Sequence, residues 1–322
     1  MQMRAIVVEG GTGPAEALTI AQADRPEPGA GELLVRVRAA GVNRPDLLQR
    51  RGLYPPPPGA PETLGLEIAG EIVTAAGRWS VGDRVVALLG GGGYADHAVI
   101  DARHALPLPH GLSFEQGGAL PETVFTVFAN VFEHGRLSAG ETLLVHGANS
   151  GIGVAAIQMA VAAGARVIGT CRGSDRAEAL RALGAERIID TRTEDFGQVV
   201  RGLGGADVIL DMVGDRYLQP NLEALKMDGR IVYIAALDGA TLQVPVMALM
   251  RKRAVLTGST LRNRSADEKA RLARRIEEVV WPWVADGKIT PVIDAVFPLE
   301  DAAKAHARLE AGSHLGKIIL SC

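Results

Sequence analysis

The stretch that decides the fold is Glu141-Thr-Leu-Leu-Val-His146, followed by Gly147-Ala-Asn-Ser-Gly-Ile-Gly153 and Val154-Ala-Ala-Ile-Gln-Met-Ala-Val-Ala-Ala163. A buried strand, a glycine turn and a helix follow one another here, as they do around the phosphate-binding turn of dinucleotide folds. Glycines let the backbone approach a pyrophosphate, and the helix N-terminus supplies free N–H groups and a positive dipole end. Because the glycines stand at 147, 151 and 153 and depart from the literal G-x-G-x-x-G spacing, an ordinary strand-to-helix turn is the alternative for this stretch alone.

A second strand and helix follow the turn. Ala165-Arg-Val-Ile-Gly-Thr170 has the pattern of a parallel strand and Ser174 to Leu183 that of a helix, which completes a βαβ unit. Strands and helices continue to alternate until about residue 262, with Asp207–Asp211 and Gly229–Ile234 as later strands. This alternation predicts a doubly wound parallel sheet.

The end of the second strand bears on the choice of nucleotide. NAD sites place an acidic residue there to hold the ribose 2′-hydroxyl, whereas this strand runs into Thr170-Cys-Arg-Gly-Ser-Asp-Arg176. Arg172 and Arg176 are suited to bind a 2′-phosphate through charge-assisted hydrogen bonds. The sequence therefore favours NADPH, with Asp175 as the residue that weakens the prediction and a solvated helix-start cation as the alternative for each arginine.

Length and composition fit a two-domain enzyme of the cytoplasm. The 322 residues exceed a usual single core, and the first 120 or so carry short β-like runs between glycines and prolines, such as Leu33–Arg38 and Ile68–Val73. Two cysteines fit a reducing compartment, and neither a signal peptide nor an apolar stretch of membrane-spanning length is evident. A net charge of −3 gives no electrostatic case for nucleic acid or membrane as partner.

Several motifs resemble the medium-chain dehydrogenase/reductase superfamily, and in particular its zinc-free quinone oxidoreductase branch. They are Ala40-Gly-Val-Asn-Arg-Pro-Asp46, Gly65-Leu-Glu-Ile-Ala-Gly70, Val81-Gly-Asp-Arg-Val85, Ser150-Gly-Ile-Gly153 and Gly316-Lys-Ile319, and Leu47–Gly59 is similar to the tumour-suppressor-inducible subgroup. The resemblance implies an α/β chain with a discontinuous GroES-like catalytic domain of residues 1–122 and 265–322. It implies a Rossmann NADPH-binding domain of residues 123–264.

The resemblance also bears on zinc. Zinc alcohol dehydrogenases of the superfamily carry a cysteine where this chain has Asn43 and a histidine where it has Leu66. Catalytic zinc needs three protein ligands, and the histidines at 97, 104, 110 and 134 lack ligand spacing. The sequence therefore predicts a site without metal.

Site residues follow from topology and from family position. Ligands of such sheets bind at the carboxyl ends of the strands, which predicts cofactor contacts at Asn149, Ser150, Gly151, Ile152, Gly153, Val154, Arg172, Ser174, Arg176, Val213, Gly214, Ala235 and Ala236, together with Thr126 and Lys317. Thr126 and Thr123, which precede the first strand of the Rossmann sheet, are expected on the nicotinamide side, and Thr191 stands where some relatives have a phosphate-binding tyrosine. Lys317 is expected to reach the phosphates from the C-terminal strand, and a solvated terminal lysine is the alternative.

Tyr54 and Asn43 are predicted to line the catalytic pocket. Tyr54 either stacks on the acceptor or donates a hydrogen bond to its oxygen, and its alternative role is packing against Pro55–Pro58. Asn43 either orients cofactor or substrate or caps the helix that begins near Asp46, and Asp46 itself is expected at that helix start.

The predicted activity is reduction of a quinone-type acceptor by NADPH without zinc, because a quinone accepts hydride unaided and the protein then acts mainly by positioning. Reduction of the double bond of an enone or alkenal is the alternative. A non-enzymatic nucleotide- or RNA-binding role, as in crystallin-like relatives, is the third reading. The final Rossmann strand, expected within Arg253–Ser259, has an apolar edge and predicts a homodimer.

Overall fold

The computed structural model describes all residues from 1 to 322, which divide into two compact units. Unit 1 comprises Met1–Phe125, Arg262–Ala285 and Pro291–Cys322, and unit 2 comprises Thr126–Leu261 and Asp286–Thr290. Both units are therefore discontinuous in sequence. The short segment 286–290, which the sequence placed in the first domain, belongs to unit 2.

Fifteen strands and ten α-helices make up the two units. The strands are β1 (Gln2–Val8), β2 (Leu18–Asp24), β3 (Glu32–Val42), β4 (Glu67–Thr74), β5 (Arg84–Leu88), β6 (His97–Asp101), β7 (Ala105–Pro107), β8 (Thr142–His146), β9 (Arg166–Cys171), β10 (Arg187–Asp190), β11 (Ala206–Asp211), β12 (Leu225–Tyr233), β13 (Val255–Gly258), β14 (Ile293–Pro298) and β15 (Lys317–Ser321). The helices are α1 (Arg44–Arg50), α2 (Phe114–Gly117), α3 (Pro121–Val127), α4 (Gly151–Ala162), α5 (Ala177–Ala182), α6 (Phe196–Gly202), α7 (Asp215–Ala224), α8 (Val246–Lys252), α9 (Ala266–Ala285) and α10 (Ala302–Glu310). A π-helical segment, Phe128–His134, continues α3, and 3₁₀ turns lie at Ala15–Ala17 and Leu299–Asp301.

Unit 1 is built on a seven-stranded sheet in the order β14-β15-β3-β4-β5-β7, with β6 also paired to β3, and on the hairpin β1-β2. The eleven-residue strand β3 contacts three partners, because its first half pairs with β6 and its last residues pair with β15. In this register Ile318 lies opposite Val42, and Ile68 lies opposite Ala40. The pairing therefore brings residues 43, 67 and 317 to one edge of the sheet.

Unit 2 is a six-stranded parallel sheet in the order β10-β9-β8-β11-β12-β13. Its core contains Leu144, Ile168, Ile209 and Ile231, each fully buried, which explains why these strands read as unbroken apolar runs. The strand order reverses between β8 and β11, the switch point of a doubly wound sheet. The predicted Rossmann arrangement is confirmed. None of the ten helices combines the length and hydrophobicity needed to cross a bilayer.

Candidate active site

The glycine turn between β8 and α4 is closely packed and leads directly into a capped helix. Gly147 has φ = +65°, and a Cβ atom on Gly153 would lie 2.4 Å from the carbonyl oxygen of Gly147. Ser150 is the N-cap of the twelve-residue helix α4, and its hydroxyl accepts a hydrogen bond from the Gly153 N–H at 3.0 Å. Only a residue without a side chain fits at 153, because the start of α4 packs directly against the backbone of the turn.

Four neighbouring loops carry most of the predicted cofactor contacts. They follow β8, β9, β11 and β12, whose last residues lie side by side: His146 is opposite Thr170, and Asp211 is opposite Tyr233. The structure thus brings to one edge of the sheet Asn149 to Val154, Arg172, Ser174, Arg176, Val213, Gly214, Ala235 and Ala236. Thr126 belongs to the same unit in α3, where its carbonyl oxygen accepts from the Asn130 side chain at 2.9 Å.

A buried series of hydrogen bonds holds the carboxyl ends of these strands in place. His146 Nδ1 lies 2.9 Å from the Thr170 hydroxyl and its Nε2 lies 2.7 Å from Asn221 Oδ1, while Asn221 Nδ2 donates to Asp211 Oδ2. The second oxygen of Asp211 accepts from the N–H groups of Val213 and Gly214. Burial lowers the pKa of His146, so the ring is neutral at physiological pH. This series of hydrogen bonds orients the 212–214 loop through the Asp211 carboxylate.

Arginines surround the loop after β9. Arg172 is exposed and Arg176 is partly buried, and Arg192 Nη1 lies 3.7 Å from the point where a Cβ on Gly173 would stand. Asp190 closes the loop by accepting from the N–H groups of Gly173 at 2.8 Å and Arg192 at 3.0 Å. The Asp190 carboxylate is therefore engaged by the backbone of this loop.

In unit 1 the side chains of Asn43, Glu67 and Lys317 form a buried cluster, hereafter the Lys317 network. Lys317 Nζ donates to Glu67 Oε1 at 2.5 Å, to Asn43 Oδ1 at 2.6 Å and to the Val42 carbonyl at 3.2 Å. Asn43 Nδ2 in turn donates to Glu67 Oε1 at 2.8 Å. All three ammonium protons have acceptors inside unit 1, and Lys317 is only 5% exposed. The expected phosphate contact of Lys317 is therefore corrected: the residue neutralises Glu67.

A second buried series of hydrogen bonds, centred on Asp46, holds the backbone at Asn43. Asp46, fully buried in the first turn of α1, accepts from the N–H groups of Asn43 and Gly65 and from the Tyr94 hydroxyl at 3.1 Å. Burial raises the pKa of Asp46 to about 6. Asn43 is the N-cap of α1, as one of its two predicted roles required, and its side chain also belongs to the Lys317 network.

The same series of hydrogen bonds continues from Asp46 through Tyr94 to His306. Arg50 Nη1 lies 3.1 Å from His306 Nδ1, and a guanidinium only donates, so Nδ1 accepts and Nε2 carries the hydrogen that faces the Tyr94 hydroxyl at 3.2 Å. Burial and Arg50 lower the pKa of His306 to about 3. The imidazole is thus a fixed neutral tautomer that supports Tyr94.

The residues at the positions of zinc ligands in relatives do not fit a zinc ion. Leu66 has no donor atom, and Asn43 Oδ1 already accepts from an ammonium group. No group of three His, Cys, Asp or Glu side chains has a metal-binding arrangement. A cationic Nζ stands within hydrogen-bonding distance of the ligand position, which opposes binding of a second cation there.

Glu122 adjoins the Lys317 network, and Tyr54 is held by Arg262. The Arg262 guanidinium lies 5.4 Å from the centre of the Tyr54 ring and donates to the Tyr54 carbonyl at 3.3 Å, to Gln49 and to Gly90. Burial raises the pKa of Tyr54, so its hydroxyl stays protonated. Glu122 begins α3, and its N–H donates to Glu67 Oε2 at 2.8 Å. The sequence predicted Tyr54 at this site but gave no role to Glu122, Arg192 or Arg262.

Comparison with known proteins shows the family to which the chain belongs. Residues 29–110 match the family described as alcohol dehydrogenase GroES-like domain, and residues 183–320 match the family described as zinc-binding dehydrogenase. The quinone oxidoreductase of Rattus norvegicus is 31% identical over an alignment of 332 positions, which covers 99% of this chain and 97% of that protein. The chain belongs to the quinone oxidoreductase branch of the medium-chain dehydrogenase/reductase superfamily.

Solved structures agree with this membership. The quinone oxidoreductase of Pseudomonas syringae pv. Tomato DC3000 superposes with a TM-score of 0.88 at 30% identity and full coverage of both chains. A NAD-dependent alcohol dehydrogenase gives the same TM-score at 31% identity, covering 99% of this chain and 100% of its own. As a member of this superfamily the chain is an oxidoreductase that uses a nicotinamide cofactor, and the predicted GroES-like and Rossmann folds are confirmed.

The residues that the sequence missed carry weak local signals. Glu122 follows Pro121 at a helix start, where an acidic residue is ordinary. Arg262 and Arg192 lie in loops without a motif. Their relation to Tyr54, Glu67 and Gly173 depends on residues far away in the chain, which spacing does not reveal.

Proposed function

We propose that this oxidoreductase transfers reducing equivalents from NADPH to a quinone-type acceptor without a metal ion. The observation that carries the proposal is the Lys317 network, in which Asn43, at a position where zinc alcohol dehydrogenases of the superfamily carry a ligand, is bonded to an internal ion pair. An acceptor reduced here must take hydride without Lewis-acid help. Quinones do so because reduction makes the ring aromatic.

The residues of the protein then bind NADPH and the acceptor and hold them in position. The turn at Gly147–Gly153 is suited to hold the pyrophosphate, and bound NADPH would supply the hydride. Asn43, locked by Glu67 and Lys317, offers a fixed polar contact, and the Tyr54 ring offers a flat apolar surface to the acceptor. These roles are catalysis by positioning and by exclusion of water.

The acceptor class is tested by following NADPH oxidation with 1,4-benzoquinones and, in parallel, with short-chain enones. We expect turnover with the quinones. Both acceptors are needed because a quinone is itself a conjugated enone. Rapid enone reduction with no quinone reduction would assign the chain to double-bond reduction. Binding of NADPH without oxidation by any acceptor would favour the non-enzymatic role.

The preference for NADPH over NADH is supported by the arginines around Gly173 and by the engagement of Asp190 with the backbone. Removal of one charge-assisted phosphate contact costs about 1.5–3 kcal/mol. We therefore expect Arg176→Ala and Arg192→Ala to weaken NADPH binding roughly 10-fold or more and to leave NADH binding unchanged, measured by cofactor fluorescence. Arg181→Ala, an exposed arginine on α5, is the control. Equal affinity of the wild-type protein for NADH and NADPH would contradict the preference.

We also propose that the protein is a homodimer formed through unit 2. Strand β13 pairs only with β12 and leaves the other side of the sheet open. Val255 on this strand is 41% exposed, and Val246, Met247 and Met250 on α8 are also exposed. An uncovered apolar sheet edge favours association.

A further inference from the structure

His146 lies where three elements of unit 2 meet. It is the last residue of β8, immediately before the glycine turn, and it is fully buried. Its imidazole packs against Phe196, the first residue of α6, and against Tyr217 on α7. The centres of both aromatic rings lie 4.8 Å from the centre of the imidazole, at interplanar angles of 67° and 66°. These edge-to-face contacts fix the plane of the imidazole.

The hydrogen bonds of the imidazole determine its tautomer. Asn221 Nδ2 donates to Asp211 Oδ2 at 2.5 Å, so the other end of this amide, Oδ1, faces His146 Nε2 as an acceptor. Nε2 therefore carries the hydrogen, and Nδ1 accepts from the Thr170 hydroxyl at 2.9 Å. The donors thus all point the same way, from Thr170 towards Asp211. We call these four side chains and their hydrogen bonds the His146 series.

The His146 series crosses three neighbouring strands near their carboxyl ends. Thr170 lies on β9, His146 ends β8 and Asp211 ends β11, which is the order of these strands in the sheet. The Asp211 carboxylate then accepts from two N–H groups of the loop 212–214. This loop is bonded in turn to the loop after β12, because the Asp238 N–H donates to its Val213 carbonyl at 2.8 Å. One buried histidine thus connects the loops that are predicted to hold the cofactor.

We propose that His146 is a positioning residue of the cofactor site, which acts through Asn221 and Asp211 on the loop 212–214. The proposal rests on the function proposed above, in which the nicotinamide cofactor binds at this edge of the unit 2 sheet. Without the imidazole nitrogens, Asn221 Oδ1 loses its donor, and the amide no longer has a fixed orientation in which Nδ2 faces Asp211. A buried polar group that lacks a partner costs more than the hydrogen bond contributed. The loop then adopts conformations that bind the cofactor less tightly.

The test measures the affinity of the purified protein for NADPH and for NADH by cofactor fluorescence. His146→Phe keeps a ring of similar size against Phe196 and Tyr217 but removes both nitrogens, and it should weaken binding of both cofactors roughly 10-fold. His146→Gln retains a donor at the position of Nε2 and should recover most of the loss. An equal effect on both cofactors distinguishes this role from that of Arg192, whose removal is expected to affect NADPH alone.

The matched control separates positioning from stability. Phe196→Leu removes one of the rings that pack on His146 and leaves every hydrogen bond of the His146 series in place. It should lower stability to urea and leave both cofactor affinities unchanged. Asn221→Leu should weaken binding as much as His146→Phe, and the double variant should bind no more weakly than either, since both changes interrupt the same series.

A second readout needs no cofactor. Nitrogen-15 NMR spectra at neutral pH should show for His146, assigned by its absence from His146→Phe, a neutral imidazole with its hydrogen on Nε2. A charged ring, or a hydrogen on Nδ1, would overturn the direction of the series. Equal cofactor affinities of wild type and His146→Phe, or an equal loss of affinity in Phe196→Leu, would overturn the positioning role alone. A wild-type protein that binds NADPH but reduces no quinone would instead overturn the proposed function.

Discussion

At the scale of single residues, the site of unit 1 depends on a buried ion pair. Glu67 is completely buried and Lys317 almost so, and the two lie on β4 and β15 at opposite sides of β3. A buried pair of this kind contributes little net stability compared with apolar residues, but removal of one partner leaves an unpaired charge. The pair is therefore a constraint on geometry more than a source of stability.

The variant Lys317→Met is expected to destabilise the protein by about 3–5 kcal/mol, measured by urea unfolding. The physical reason is the Glu67 carboxylate, which would keep only the Asn43 side chain and the Glu122 N–H as partners. The double variant Lys317→Met with Glu67→Gln should recover part of the loss. Lys288→Met, which removes an exposed lysine paired with Asp286, should change stability by less than about 1 kcal/mol. An equal effect of both single variants would contradict the buried-pair account.

Sequence reasoning at this scale succeeded where a role depends on neighbours in the chain and failed where it depends on distant ones. The N-cap role of Asn43 was one of its two predicted roles, because the cap and its partner Asp46 are only three residues apart. Lys317 was assigned to phosphate because its partners, Asn43 and Glu67, are about 250 residues or more away. Strand pairing through β3 brings these residues together, and no local sequence pattern indicates this pairing.

At the scale of elements, close backbone contacts in the turn between β8 and α4 leave no room for a side chain at position 153. A Cβ at Gly153 would lie 2.4 Å from the Gly147 carbonyl oxygen and 2.6 Å from the backbone of Ala148. We expect Gly153→Ala to move α4 away from the turn and to weaken NADPH binding at least 10-fold, about 1.4 kcal/mol, measured by fluorescence titration. The control Gly202→Ala, at the end of α6, meets nothing within 4 Å and should bind normally. Unchanged affinity in Gly153→Ala would remove the turn from the cofactor site.

Element boundaries show where propensity yields to tertiary contact. The sequence predicted a helix from Ser174, but α5 begins at Ala177. Gly173 has φ = +94° and its N–H donates to Asp190, so the residues after β9 are held as a loop by a carboxylate from β10. Strand β10, only four residues long, was not predicted, since so short a run gives little periodic signal.

At the scale of the whole molecule, the fold class could be predicted because its signals are repeated. Buried parallel strands read as apolar runs at β8, β9, β11 and β12, and each is followed by a turn and a helix. Segment 286–290 was misplaced because it lies between the charged helix α9 and strand β14, and nothing in its composition sets it apart.

The oligomeric state is a prediction at the same scale. Three sheets have an edge strand with an exposed valine: β13 in unit 2 with Val255 at 41%, and in unit 1 β14 with Val296 at 47% and β1 with Val7 at 37%. Only β13 has a neighbouring helix, α8, with three further exposed apolar side chains. We therefore expect light scattering to show a dimer for wild type and for Val296→Lys, and a monomer for Val255→Lys, because a charge at a paired edge must be desolvated. A monomeric wild type would refute the dimer, and dissociation by Val296→Lys alone would move the interface to unit 1.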